Sequence, residues 1–92
     1  MAKLHITEFS TIHAWGQYGY PDATQLAIDI GVETDSAAFQ FANIRFVPRA
    51  DCHIAFGANN PQATLASEFF GAGQEYSRLV TIGDKLSVIA AV

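Results

Sequence analysis

The apolar residues of this chain tend to recur at every second position, and this period of two is the strongest constraint on its fold. In residues 3–9, Leu4 and Ile6 alternate with His5 and Thr7. Successive side chains of a β-strand point to opposite faces, so the alternation predicts strands with one buried face. The runs that show it are 3–9, 24–32, 37–47, 51–57, 75–82 and 85–92.

One stretch between these runs fits two structures. Residues 63–73 have the pattern of a short helix that stops at Gly71, or of a further strand. We favour the strand, because turn signals continue at the same spacing on either side.

Turn-forming residues separate the runs at short intervals. Residues 58–61 read ANNP, and Gly-Asp at 83–84 lies between the last two runs, which predicts a hairpin there. The break in alternation over 41–44 predicts a bulge or short turn near Ala42-Asn43, and Pro48 predicts a strand end or edge. Together these features predict an all-β fold: a compact antiparallel β-sandwich or jelly-roll-like barrel of about six to eight short strands, in one domain over residues 1–92.

Composition restricts the partners of such a domain. Half of the residues are apolar and only 15% are charged, whereas ordinary globular chains have about 25% charged residues. A small domain hides little apolar surface in its own core, so the excess favours self-association over a monomer with a somewhat apolar surface. The net charge of −4, with five Lys and Arg residues, argues against nucleic-acid binding. No apolar run approaches the roughly 18 residues of a membrane helix.

Residues capable of chemistry are few and scattered. Cys52 and His53 are neighbours in a predicted strand, so their side chains should point to opposite faces. The three histidines and single cysteine show no metal-ligand spacing, and no nucleophile lies in a catalytic motif. We therefore predict a protein without a catalytic site, metal or cofactor, in which Cys52 is a small buried apolar residue.

Two loops are the candidate binding sites. The first, residues 10–24, is rich in aromatic residues around two glycines, and it either docks on a partner protein or forms a lid over its own core. The second, GANNPQAT at 57–64, is a connector whose small, neutral, amide-rich surface also suits close packing against another protein. Its asparagines tolerate left-handed backbone angles, although the residue before Pro61 is biased towards an extended one. The predicted partner-binding residues are Ile12, His13, Trp15, Tyr18, Tyr20, Asn59 and Asn60.

Most of the chain resembles small structural proteins of tailed bacteriophages. The resemblance rests on MAKLHITEF at the start, SAAFQFANIRFVPRADCHIAFGANNPQAT at 36–64 and GAGQEYSRLVTIGDKLSVIA at 71–90. Its most specific pieces are FGANNPQAT and GDKLSVI. The chain departs from the family pattern at two places, the two asparagines before Pro61 and the loop at 10–23. The loop is where the specificity for a partner would vary.

The resemblance implies a virion component, synthesised in the host cytoplasm. In such a role the protein would be a decoration or cement protein on the outside of the head, self-associated as a dimer or trimer. It would bind the major capsid protein and bridge capsid subunits, with the aromatic loop and the N-terminal strand in contact with the shell. Two alternatives remain open: a head–tail or tail-associated structural protein, and a β-sandwich module that binds carbohydrate on the host surface.

Overall fold

The computed structural model describes residues 2–9, 23–25 and 27–91, and this part of the chain is all β. Six of its strands have three residues or more, and three have two residues each. The predicted fold class is therefore confirmed. In chain order the nine strands of the described residues are β1 Lys3–Phe9, β2 Ala23–Thr24, β3 Ile28–Asp29, β4 Thr34–Asp35, β5 Asn43–Pro48, β6 Cys52–Gly57, β7 Glu68–Phe70, β8 Tyr76–Leu79 and β9 Lys85–Ala90.

These strands form two antiparallel sheets. Sheet 1 has the order β2-β1-β5-β8, with β3 also paired to β1, and sheet 2 has the order β4-β9-β6-β7. The inward side chains of both sheets meet in one core, as in a β-sandwich. The core residues of the two sheets and their connections are Leu4, Ile6, Ile30, Phe39, Ile44, Phe46, Cys52, Ile54, Phe70, Leu86 and Val88.

Phe46 lies at the contact between the sheets. It projects from β5 in sheet 1, and its ring centroid is 5.0 Å from that of Phe70 and 6.2 Å from that of Phe56, both in sheet 2. Tyr76 of β8 stacks on the same ring at 5.6 Å. Edge-to-face and offset contacts of this kind add to the stabilisation that aromatic burial itself provides.

The hairpin predicted at Gly83-Asp84 is wrong. β8 belongs to sheet 1 and β9 to sheet 2, so this turn carries the chain across the sandwich. Gly83 has a φ of 95°, and the turn exchanges two backbone hydrogen bonds of 2.8 Å with Phe39. The turn residues fix a local change of direction, but the buried face of each flanking strand decides its sheet. With the two strands on opposite sides of the core, the apolar face of each strand is buried.

Two predicted runs are shorter as strands than the alternation indicated. Run 24–32 is replaced by the two-residue strands β2 and β3, which pair with the same edge of β1. Run 37–47 becomes a strand only at Asn43, after a bend at residues 40–42, so of the two predicted alternatives the chain changes direction there and forms no bulge. The backbone before Asn43 bonds to side-chain and turn partners instead of a neighbouring strand. β5 does end at Pro48, and β7 lies inside the 63–73 stretch, as predicted.

Candidate interaction surface

The loop that joins β6 to β7, residues 58–67, is fixed to the outer face of sheet 2. Ser87 projects outward from β9, between the core residues Leu86 and Val88, yet it is fully buried. The Ala63 N–H donates to Ser87 Oγ at 2.9 Å, and Ser87 Oγ donates to the Glu33 carboxylate. The loop therefore covers part of this face and has a defined position on it.

The first half of the loop contains the two asparagines predicted as binding residues. Asn59 and Asn60 are both exposed. Asn60 has a φ of 44°, in the left-handed region that asparagine tolerates better than most residues. The tolerance predicted for this residue is confirmed, and the extended geometry predicted ahead of Pro61 is wrong. The structure thus places both amides at the surface, where a partner can reach them.

The second half of the loop is held by a compact turn. The Ser67 N–H donates to the Thr64 carbonyl at 2.9 Å, and Ser67 Oγ accepts the Thr64 N–H at 3.0 Å. His53 Nδ1 lies 2.8 Å from the Ser67 carbonyl oxygen, so β6 fixes the end of the turn. Leu65, inside this turn, leaves 58% of its surface exposed.

Next to the loop, one row of outward side chains on sheet 2 is not charged. Phe69 of β7 pairs with His53 of β6, which pairs on its other side with Ile89 of β9. The His53 and Phe69 rings meet edge to face at 5.5 Å, and Phe69 is 53% exposed. We call Phe69, His53 and Ile89 the apolar row. Solvent-facing positions of a strand are usually polar, so the row is a candidate contact surface.

The outer face of sheet 1 has a different character. It carries two exposed ion pairs, Lys3 with Asp29 and Arg45 with Glu75, the residue just before β8. The Lys3 ammonium, which bonds the Asp29 carboxylate, holds the pKa of that carboxyl below its ordinary value. Exposed ion pairs of this kind stay in contact with water, so the part of this face that carries them is a poorer apolar contact surface than the apolar row.

A second apolar group lies where β8 ends. Leu79 and Ile82 are 79% and 64% exposed. Beside them is a cavity of about 210 Å³, lined by Phe56, Arg78, Leu79, Val80, Thr81 and Asp84. The Arg78 guanidinium binds the Glu68 carboxylate of β7 and lies 5.2 Å from the Phe70 ring centroid, which joins the edges of the two sheets.

A carboxylate is buried inside the sandwich, and it belongs to a residue that is not among those predicted from the sequence. Glu8 is 1% exposed. Its Oε1 accepts the N–H groups of Gln40 and Phe41 at 2.6 and 3.0 Å, and its Oε2 accepts Gln25 Nε2 at 2.9 Å. The even position of Glu8 in β1, in phase with Leu4 and Ile6, was the available signal. The carboxylate holds the connection before β5 against β1, which is a structural role.

Cys52 and His53 diverge, as predicted. Cys52 is fully buried in the core, whereas His53 is on the outer face. Burial, with a smaller contribution from the nearby Asp51, raises the pKa of the Cys52 thiol to about 11. In the described residues, no group of three or more His, Cys, Asp or Glu side chains is placed to hold a metal ion. No helix in that part of the chain is long and apolar enough to cross a membrane.

The remaining predicted binding residues lie outside the part of the chain that the structure describes. They are Ile12, His13, Trp15, Tyr18 and Tyr20. Phe9 ends β1 and Ala23 begins β2, and these strands are antiparallel neighbours. The described residues on either side of this loop are thus neighbours at one edge of sheet 1, and the role of the loop in binding stays a prediction.

Comparison with known proteins leaves the family open. No family model, no curated protein and no solved structure matches this chain.

Proposed function

We propose that this protein is a structural component of a tailed-bacteriophage particle, which decorates the outside of the capsid and bridges neighbouring capsid subunits. The observation that carries the proposal is the exposure of large apolar side chains on two separate parts of a small domain. Leu65 and Phe69 lie by the outer face of sheet 2, and Leu79 and Ile82 lie at the end of β8. The resemblance of residues 36–64 and 71–90 to phage structural proteins supports the same role.

A bridging protein needs at least two contact surfaces, and the stabilisation of the capsid is the sum over many bound copies. Burying one exposed Leu, Ile or Phe side chain contributes about 1.5–3 kcal/mol. Two or three such side chains per surface give each copy a modest affinity. Repeated over a capsid, these contacts oppose separation of the subunits that they connect. The physical mechanism is therefore additive burial of apolar surface rather than chemistry on a substrate.

The test is binding of the purified protein to undecorated capsids of the phage that encodes it. After sedimentation of the capsids, we expect saturable binding in a fixed ratio to the major capsid protein. Imaging with a labelled copy should show many copies over the head. A few copies at one vertex would instead indicate a head–tail protein. Binding to host glycans with no binding to particles would indicate a carbohydrate module, and either result would refute the decoration role.

Two sets of variants locate the capsid contact. Leu79→Arg places a charge in the apolar group of β8 and should lower capsid occupancy, whereas Ser77→Arg, two residues earlier on the same exposed face, serves as the matched control. Changing Trp15, Tyr18 and Tyr20 together to alanine should also lower occupancy with an unchanged unfolding curve. Wild-type saturation by that triple variant would remove the aromatic loop from the contact.

A further inference from the structure

The outer face of sheet 2 is only partly covered by the protein itself. Loop 58–67 lies over Ser87, and its Ala63 is 4% exposed. The apolar row lies two residues further along β6 and β9, next to the end of this loop, where Phe69 stays more than half exposed. The face therefore contains a fixed neutral loop beside a partly exposed apolar row, with Asp35 and Lys85 at other outward positions.

We infer that this face binds the same face of a second copy of this chain, so that two sandwiches pack sheet to sheet about a twofold axis. The inference rests on the proposed function for its biological role, because a dimer presents two capsid-binding ends. Its physical basis is independent of any capsid.

Charge favours a second copy as the occupant. Each chain carries a net charge of −4, so two copies repel each other wherever acidic surfaces meet. The apolar row has no Asp, Glu, Lys or Arg, and the adjoining loop from Ala58 to Ser67 has none either. Charged residues of the same face, Asp35 on β4 and Lys85 on β9, lie beside the row and the loop and not within them. A twofold contact sets each surface against itself, and the uncharged part of this face does this without bringing like charges together.

Shape and size agree with this occupant. Sheets pack face to face about 10 Å apart when their facing side chains are apolar. The molecule measures 38 × 28 × 21 Å, so a broad face has roughly 1,000 Å² of projected area. A standard interface needs about 800 Å² from each partner. The bond from His53 Nδ1 to the Ser67 carbonyl already satisfies one polar atom of the row, which lowers the cost of burying that ring.

The decisive experiment is sedimentation velocity over a range of protein concentrations, without capsids. We expect the wild type to show a monomer–dimer equilibrium. Phe69→Arg should raise the dimer Kd by about 30- to 100-fold, the effect of an interface hot spot. Leu79→Arg is the matched control, because Leu79 is even more exposed but lies on the outer face of sheet 1, and it should leave the dimer Kd within about threefold of wild type.

A second variant and a second measurement guard against effects on folding. Ile89→Lys alters the same row from a different strand and should weaken the dimer by a similar factor, while thermal unfolding identifies any variant that is misfolded. In Ile89→Cys, a short bifunctional maleimide should link two copies across the interface, and the buried Cys52 should react slowly. The same cysteine substituted at His5, on the outer face of sheet 1, should give no linked dimer.

The outcomes separate this inference from the proposed function. A wild type that is monomeric at all concentrations, or a folded Phe69→Arg with the wild-type dimer Kd, overturns the assignment of the row. A wild type that dimerises through the row but does not bind capsids overturns the decoration role and leaves the dimer interface standing.

Discussion

Replacing Glu8 tests whether the buried carboxylate holds the sandwich together. Its three hydrogen bonds tie β1 to Gln25, Gln40 and Phe41. A hydrogen bond to a charged group contributes about 1.5–3 kcal/mol. In Glu8→Ala water partly replaces the bonds of the exposed Gln40 and the half-buried Gln25, so we count about half of the combined contribution of the three bonds. The expected loss is about 2–4 kcal/mol, a large fraction of the roughly 5–15 kcal/mol that stabilises a typical domain.

The conservative variant Glu8→Gln separates charge from shape. The remaining amide oxygen still accepts the two backbone N–H groups, but the new NH₂ group faces the NH₂ group of Gln25. Rotating the Gln25 amide would remove the bond that its Oε1 accepts from the Ala37 N–H at 3.1 Å. We expect a loss of about 1–2 kcal/mol. Adding Gln25→Glu sets a carboxylate oxygen opposite the new NH₂ group at position 8, so that a donor again faces an acceptor. The double variant should therefore lose less free energy of unfolding than the two single variants lose in sum.

Urea unfolding measures these changes, with an unchanged m-value as the sign that the folded and unfolded states are otherwise the same. The matched control is Glu75→Ala, which removes a carboxylate from an exposed ion pair with Arg45 and should cost less than about 1 kcal/mol. A Glu8→Ala protein within 1 kcal/mol of wild type would refute the structural role of the carboxylate. Equal losses for Glu8→Ala and Glu75→Ala would refute it as well.

Two further predictions follow from buried groups of sheet 2. Burial disfavours the Cys52 thiolate and raises its pKa from 9.0 to about 11, so the folded state holds this proton more tightly than the unfolded state. The resulting stability is present below about pH 9 and is lost as the pH rises towards 11; unfolding curves at several pH values should show this loss for wild type and not for Cys52→Ala. Ser87→Ala removes the acceptor of the Ala63 N–H and should cost about 1–2 kcal/mol, with faster amide exchange at Ala63; unchanged protection of that amide would show that the loop is held in another way.

The candidate surface was only partly predictable from the sequence. The exposed asparagines of loop 58–67 were identified, because an Asn-Asn-Pro stretch between two strands is a local turn signal. The apolar row was not, because Phe69, His53 and Ile89 come from three separate runs. Each is one of several apolar or aromatic residues in its run, and only strand pairing brings the three side by side on the outer face.

The alternation by itself determined the strand class and the buried face of most strands. Leu4 and Ile6 in β1, and Leu86 and Val88 in β9, point into the core as their spacing predicts. This succeeded because the direction of successive side chains is a local property of extended backbone.

Tertiary structure alone decided which strands are neighbours and which sheet each one joins. The turn at Gly83-Asp84 crosses the sandwich instead of closing a hairpin, and run 24–32 divides into β2 and β3, with the Gln25 side chain after β2 bonded to Glu8. Strand partners are chosen by the burial and hydrogen bonding of residues distant in the chain, and a pattern of period two is the same for every sheet that a strand can join.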